Sequence, residues 1–228
     1  MQIFGHRGSR ATHAENTIGA FKHALDNGAD GVELDVAAAL DNVLVVTHDL
    51  VLKDGRVVRE HRGAHLGLPT LEDVLAMEPR EGFWFDIEAK TEPASAPDPR
   101  EYAGLLQAAI RRSPARNVIV RSFDHQILRA FHEVEPEIPL AALIESSWGS
   151  EDWVKIARDA GAVFISPHFS TVTPERVSRA HAAGIGVSTW TVNQPADWAR
   201  MAEMAVDTII TDDPAAAVTY FKYRFKSG

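Results

Sequence analysis

Val32-Glu33-Leu34-Asp35-Val36 is an apolar, β-branched run interrupted by two acids spaced two apart. Side chains alternate faces along a strand, so Glu33 and Asp35 project together, opposite the valines and Leu34. Upstream, Ile18, Phe21 and Leu25 recur at spacings of three and four, the period of an amphipathic helix, and Ile3-Phe4 reads as an earlier strand. Downstream, strand-like runs recur at Phe83–Ile87, Val118–Val120, Leu140–Ile144, Val163–Ile165, Val187–Trp190 and Thr208–Ile210, which makes eight in all. Helical stretches alternate with them, roughly 71–78, 100–112, 125–135, 151–160, 174–183, 196–204 and 215–225. Gly28, Gly161 and Gly184 each stand between a helix and the next strand, where a left-handed residue ends a helix. Eight such units predict an α/β protein, a (β/α)8 TIM barrel occupying residues 1–228 as a single domain.

Two loops that follow strands depart from a minimal barrel. Asp41-Asn42 separates the second strand from Val43–Thr47 and predicts a short hairpin, followed by an abbreviated insertion ending near Pro69. Thr91–Pro99, rich in Pro, Ala and Ser, is a candidate lid. The last helix mixes Tyr220, Phe221, Tyr223 and Phe225 with basic residues, and is expected to pack on the outer barrel wall rather than on a membrane surface.

The chain has 228 residues, 23 Lys+Arg against 32 Asp+Glu, a net charge of −9 and 45% hydrophobic residues. A core of that size needs no disulfide or structural metal. The absence of cysteine removes thiol catalysis and Cys-ligated zinc. The negative balance argues against nucleic acid as a partner, and no apolar run approaches the ~18 residues of a membrane span. Residues 1–8 lack a signal-peptide pattern, so a cytoplasmic location is expected; the oligomeric state is not legible.

Asp86, Glu88 and Lys90 repeat the two-residue spacing at the end of the third strand, adding ionisable groups to the same ring of strand ends. Carboxylates ~5 Å apart repel by about 3 kcal/mol per pair at an effective dielectric of ~20, so a neutralising partner is required. Glu33, Asp35 and Glu88 are therefore read as ligands of one divalent cation, and hard oxygen donors suit Mg²⁺ or Ca²⁺, with Mn²⁺ also possible. His6 closes the first strand and His48 the returning hairpin strand, a pair suited to accept one proton and deliver another near neutral pH. Arg7 is read as orienting a phosphate through its fork of donors, and Lys90 as compensating its charge. The other eight histidines are read as ordinary surface or packing residues.

His6-Arg7-Gly8, Glu15-Asn16-Thr17, Glu33-x-Asp35-Val36, Val45-Val46-x-His48-Asp49, Glu88-x-Lys90, Ser122-Phe123, Trp190-Thr191-Val192-Asn193 and Thr211-Asp212-x-Pro214 follow in the order seen in glycerophosphodiester phosphodiesterases. The chain resembles that family over nearly its whole length. The resemblance implies a TIM barrel, a divalent cation on Glu33, Asp35 and Glu88, and catalytic histidines at His6 and His48. It also implies Arg7, Glu15 and Lys90 around the phosphate, with Trp190 lining the pocket. The implied reaction is hydrolysis of a small phosphodiester through a cyclic phosphate to glycerol 3-phosphate. Ala14 replaces a proline common in the family, Leu52-Lys53-Asp54 replaces Arg-Thr-Thr, and the insertion beyond His48 is short, so the alcohol group is unspecified. Two rival readings keep the fold: lysophospholipase D action on a lyso-lipid, and a phosphodiester-binding barrel without turnover. A Schiff-base role for Lys90 is disfavoured because neighbouring carboxylates raise an amine pKa.

Overall fold

The computed structural model describes residues 1–91, 97–148 and 152–224. Strands β1 (Gln2–Gly5), β2 (Gly31–Ala38), β3 (Leu44–Val46), β4 (Trp84–Ala89), β5 (Val118–Ser122), β6 (Leu140–Ile144), β7 (Phe164–Pro167), β8 (Gly186–Thr189) and β9 (Thr208–Thr211) form one sheet. Eight of them are parallel neighbours, and pairing of β1 with both β9 and β2 closes the barrel. The ninth, β3, is the hairpin return, antiparallel to β2 with Val36 opposite Val46. The barrel and hairpin expected from the sequence are both present.

Helices α1 (Ile18–Asp26), α2 (Leu71–Leu75), α3 (Pro99–Arg112), α4 (His125–Val134), α5 (Trp153–Asp159), α6 (Pro174–Ala182), α7 (Pro195–Glu203) and α8 (Pro214–Arg224) connect the strands. Their starts are written locally. Thr17, Asp98, Asp124, Asp152 and Thr173 each accept a first-turn backbone N–H, and prolines open α3, α6 and α7, where a missing N–H costs nothing. Thr70 and Asp73 cap α2 reciprocally. That helix is shorter than its apolar period predicts, ending at Leu75, before Pro79. Trp190 likewise falls just beyond β8 rather than inside it. The candidate lid at Thr91–Pro99 lies largely outside the described residues, as do Phe225 and Lys226.

Strand alternation sorts the core into two layers. Val32, Leu34, Val36, Phe85 and Ile87 face outward into the main apolar layer beneath the helices, where burying each large side chain contributes about 1.5–3 kcal/mol. Helix α8 joins this layer through Ala217 and Val218, which are buried, so it packs on the barrel wall. Inside the barrel, Phe4, Ile119, Ala141 and Ile210 form a smaller apolar plug with Trp84 and Phe164. Near that plug Arg121 is fully buried, bonded through Nε and Nη2 to Asp86 and also to Ser166 and Ser188. The inward acids gather toward the carboxyl ends of the strands. Register sets Glu33 beside Asp86, Asp35 beside Glu88, and Glu88 beside Arg121.

Candidate active site

The turn after β1 aims the first site residues. Arg7 adopts a left-handed backbone (φ 51°), followed by Gly8 (φ 85°). A Cβ at Gly8 would lie 2.6 Å from the Ala20 carbonyl carbon, so only glycine lets the turn tuck under α1. The turn points the Arg7 N–H at Glu33 Oε2 (3.0 Å) and brings Arg7 Nε to 3.1 Å from Asp35 Oδ2. That Nε–H is buried and has no aligned acceptor among the described residues, a donor available to an added oxygen. Non-glycine residues in the left-handed region are uncommon and cluster at functional sites; Asn16 (φ 57°) is a second one here. Its amide bonds Asp35 twice, from Nδ2 to Oδ2 (2.9 Å) and from the Asp35 N–H to Oδ1 (3.3 Å).

Carboxylate oxygens of Glu33, Asp35 and Glu88 all lie within 4.8 Å of one another. Glu33 and Asp35 are 2% and 1% exposed. Burial, then the charges of Asp35 and Glu88, push the Glu33 carboxyl well above the usual range. Glu88 is pushed up for the same reasons, partly relieved by Lys90, whose Nζ lies 2.9 Å from Glu88 and 3.8 Å from Asp35. Burial opposes the Lys90 charge, but Glu88 and Asp35 outweigh it and hold the ammonium pKa above normal. The trio is therefore under-compensated. Three convergent, partly uncompensated hard oxygens fit a divalent cation such as Mg²⁺, Ca²⁺ or Mn²⁺.

His6 and His48 line the same cavity of about 80 Å³, with Arg7, Glu33, Glu88 and Lys90. Each imidazole has a carboxylate at Nδ1: Asp212 lies 2.6 Å from His6, and Asp49 lies 2.8 Å from His48. Although burial opposes it, the His6 contact, Asn193 and Arg10 hold the Asp212 carboxyl below its ordinary value. An ionised Asp212 can only accept, so the proton of that bond sits on His6 Nδ1 and leaves Nε2 free. Asp49 is held down chiefly by its bond to His48.

The far wall is apolar: Phe123, Leu143, Trp190 and Ile210. Trp190 donates from Nε1 to the Ser166 carbonyl (3.0 Å) and stacks edge-on with Phe123 and His168. Glu15 does not line the inner cavity; it bridges Arg7 Nη1 (2.9 Å) and Arg10 Nε (2.5 Å) at its edge. Arg10 also reaches Asp212 (3.4 Å), so an ionic chain runs from Asp35 through Arg7, Glu15, Arg10 and Asp212 to His6. Sequence reasoning assigned no role to Asp212, Asn193, Arg10 or Arg121. Asp212 carried two signals, its place directly after the last strand and its position in the Thr211-Asp212-x-Pro214 motif.

Among the described residues, no helix is long and apolar enough to cross a membrane. The sequence pattern of the Glycerophosphoryl diester phosphodiesterase family matches residues 6–61 and 52–216. A glycerophosphodiester phosphodiesterase of Caldanaerobacter subterraneus subsp. tengcongensis is 31% identical over 95% of this chain and 96% of its own length. One from Bacillus altitudinis is 33% identical over 95% and 96%. The crystal structure of a glycerophosphodiester phosphodiesterase from Parabacteroides distasonis superimposes with a TM-score of 0.85 at 26% identity, covering 98% of this chain and 97% of that one. Agreement of this extent, over a barrel whose strand ends converge on one acid and imidazole cluster, means that the chain belongs to the glycerophosphoryl diester phosphodiesterase family.

Proposed function

We propose that this protein hydrolyses glycerophosphodiesters to glycerol 3-phosphate and an alcohol, with Glu33, Asp35 and Glu88 holding one divalent cation and His6 and His48 moving the protons. The observation that carries the reading is the convergence of three carboxylates from two strands, two of which, Glu33 and Glu88, line one small cavity together with both imidazoles. A divalent cation bound there supplies Lewis-acid polarisation of a phosphoryl oxygen and lowers the pKa of a neighbouring hydroxyl. Arg7 orients the phosphate through its unsatisfied Nε–H, and Lys90 neutralises it as a point charge. One imidazole takes the proton of the glycerol 2-hydroxyl as that oxygen attacks phosphorus. The other gives a proton to the departing alkoxide, so a P–O bond forms as another breaks and a cyclic phosphate results. Water then opens the ring with the proton transfers reversed, leaving glycerol 3-phosphate. The compact inner cavity supports an unacylated glycerol over a lyso-lipid.

A coupled glycerol 3-phosphate assay with and without EDTA tests this. His6→Ala and His48→Ala should each lower turnover at least ~100-fold with an unchanged circular dichroism spectrum. Near-normal turnover in either variant removes the assignment of the histidines.

A further inference from the structure

A second, larger hollow of about 1000 Å³ opens beside the inner cavity, walled on one side by the segment before α1 and on the other by the insertion after His48. The two hollows share Arg7 and His48. A diester whose phosphorus is held between those side chains has two arms, and only the outer hollow has room for a bulky one. Its apolar surface comes from aliphatic residues such as Leu52, Leu66 and Leu68, and among the described residues no Phe, Tyr or Trp lines it. A quaternary ammonium group finds no aromatic cage there.

The charges lining the hollow are uneven in how they are matched. Glu15 is paired with Arg7 and Arg10, Asp49 with His48, and Asp54 with Arg56. All three carboxylates are thus taken. Lys53 also lines the hollow, and it has no salt-bridge partner among the described residues. Its charge acts on Asp49, the partner of His48, so the ammonium stands on the His48 side of the hollow.

Resting on the phosphodiesterase reading above, we infer that the outer hollow receives the leaving alcohol and that Lys53 selects alcohols carrying a further negative charge, such as a phosphorylated polyol, over cationic ones such as choline. A unit charge pair across about 6 Å of water-like dielectric changes an equilibrium roughly threefold. Lys53→Glu changes the charge by two units, so selectivity shifts about tenfold for each negative charge on the alcohol.

The test compares kcat/KM for glycerophosphocholine, glycerophosphoglycerol and glycerophosphoglycerol phosphate in the full chain with divalent cation at low salt. The parent should favour the phosphorylated alcohol over choline. Lys53→Glu should lower that ratio about tenfold or more, and 0.5 M NaCl should remove most of the difference. Lys22→Glu, the same charge change on the exposed side of α1, controls for net charge. A ratio that moves no further in Lys53→Glu than in Lys22→Glu overturns the inference. Hydrolysis of none of the three diesters sinks the phosphodiesterase reading itself; hydrolysis with an unmoved ratio sinks only the assignment of the outer hollow.

Discussion

Replacing Glu33 by Gln is expected to stabilise the metal-free protein while abolishing its response to divalent cations. The three carboxylate oxygens lie within 4.8 Å of one another, and at an effective dielectric of ~20 each such pair repels by about 3.5 kcal/mol. Glu33 takes part in two of these pairs, so the repulsion removed is on the order of 7 kcal/mol when all three are ionised. Two effects reduce it. Burial, then Asp35 and Glu88, raise the Glu33 pKa well above the usual range, which makes Glu33 easier to protonate and shrinks the repulsion left to remove. Glutamine keeps an oxygen for the Arg7 N–H at 3.0 Å but loses the charge assistance, at a cost of about 1 kcal/mol. A net gain on the order of 1–3 kcal/mol remains, equivalent to about 3–10 °C in Tm for a chain of this size. Thermal unfolding in EDTA, then with millimolar Mg²⁺, Mn²⁺ or Ca²⁺, reads both halves of the prediction. The parent should gain stability with the cation and the variant should not. A variant that melts below the parent in EDTA, or that keeps the parent's metal-induced shift, refutes the electrostatic account of the trio.

Asp212→Asn should lower kcat about 100-fold with little change in KM, because the neutral amide no longer holds the proton on His6 Nδ1; an equal loss on an Asn193→Ala background would show that Asn193 does not hold Asp212 in place. Arg121→Met leaves the fully buried Asp86 without its partner and should cost about 3–5 kcal/mol in urea denaturation, whereas Asp86→Leu combined with Arg121→Met should recover most of it. Asp73→Ala removes the reciprocal cap of α2 at a cost of about 1 kcal/mol at pH 7. Because the bonds from the Thr70 backbone and hydroxyl hold the Asp73 pKa below 3.8, its contribution is complete above that value and fades as pH falls through the lower folded-state value. Parent and Asp73→Ala should therefore converge in stability in strong acid, and a gap that persists there counts against the cap.

Much of the barrel could be read without coordinates, since strand alternation and helix period are local. Val32–Val36 alternates because the pleat does, and Ile18, Phe21 and Leu25 mark one helix face whatever lies beyond it. The short α2 was misjudged because its apolar period runs on past Leu75 while the helix does not. Glu33, Asp35, Glu88 and Lys90 could be singled out because a two-residue spacing puts acids on one face. Arg121 escaped notice because a single basic residue inside an apolar strand gives no sign of facing inward, toward Asp86 on the neighbouring strand.

The order of residues alone therefore determined the eight-unit repeat, the hairpin and which strand carries the acids, all properties that a few neighbouring positions specify. Only tertiary structure decided which groups share a proton or an ion pair. His6 and Asp212 stand 206 positions apart, and they meet because the last strand closes beside the first, with Gly5 level with Thr211. Closure of the barrel depends on all eight strands together, so no local window of the chain contains it.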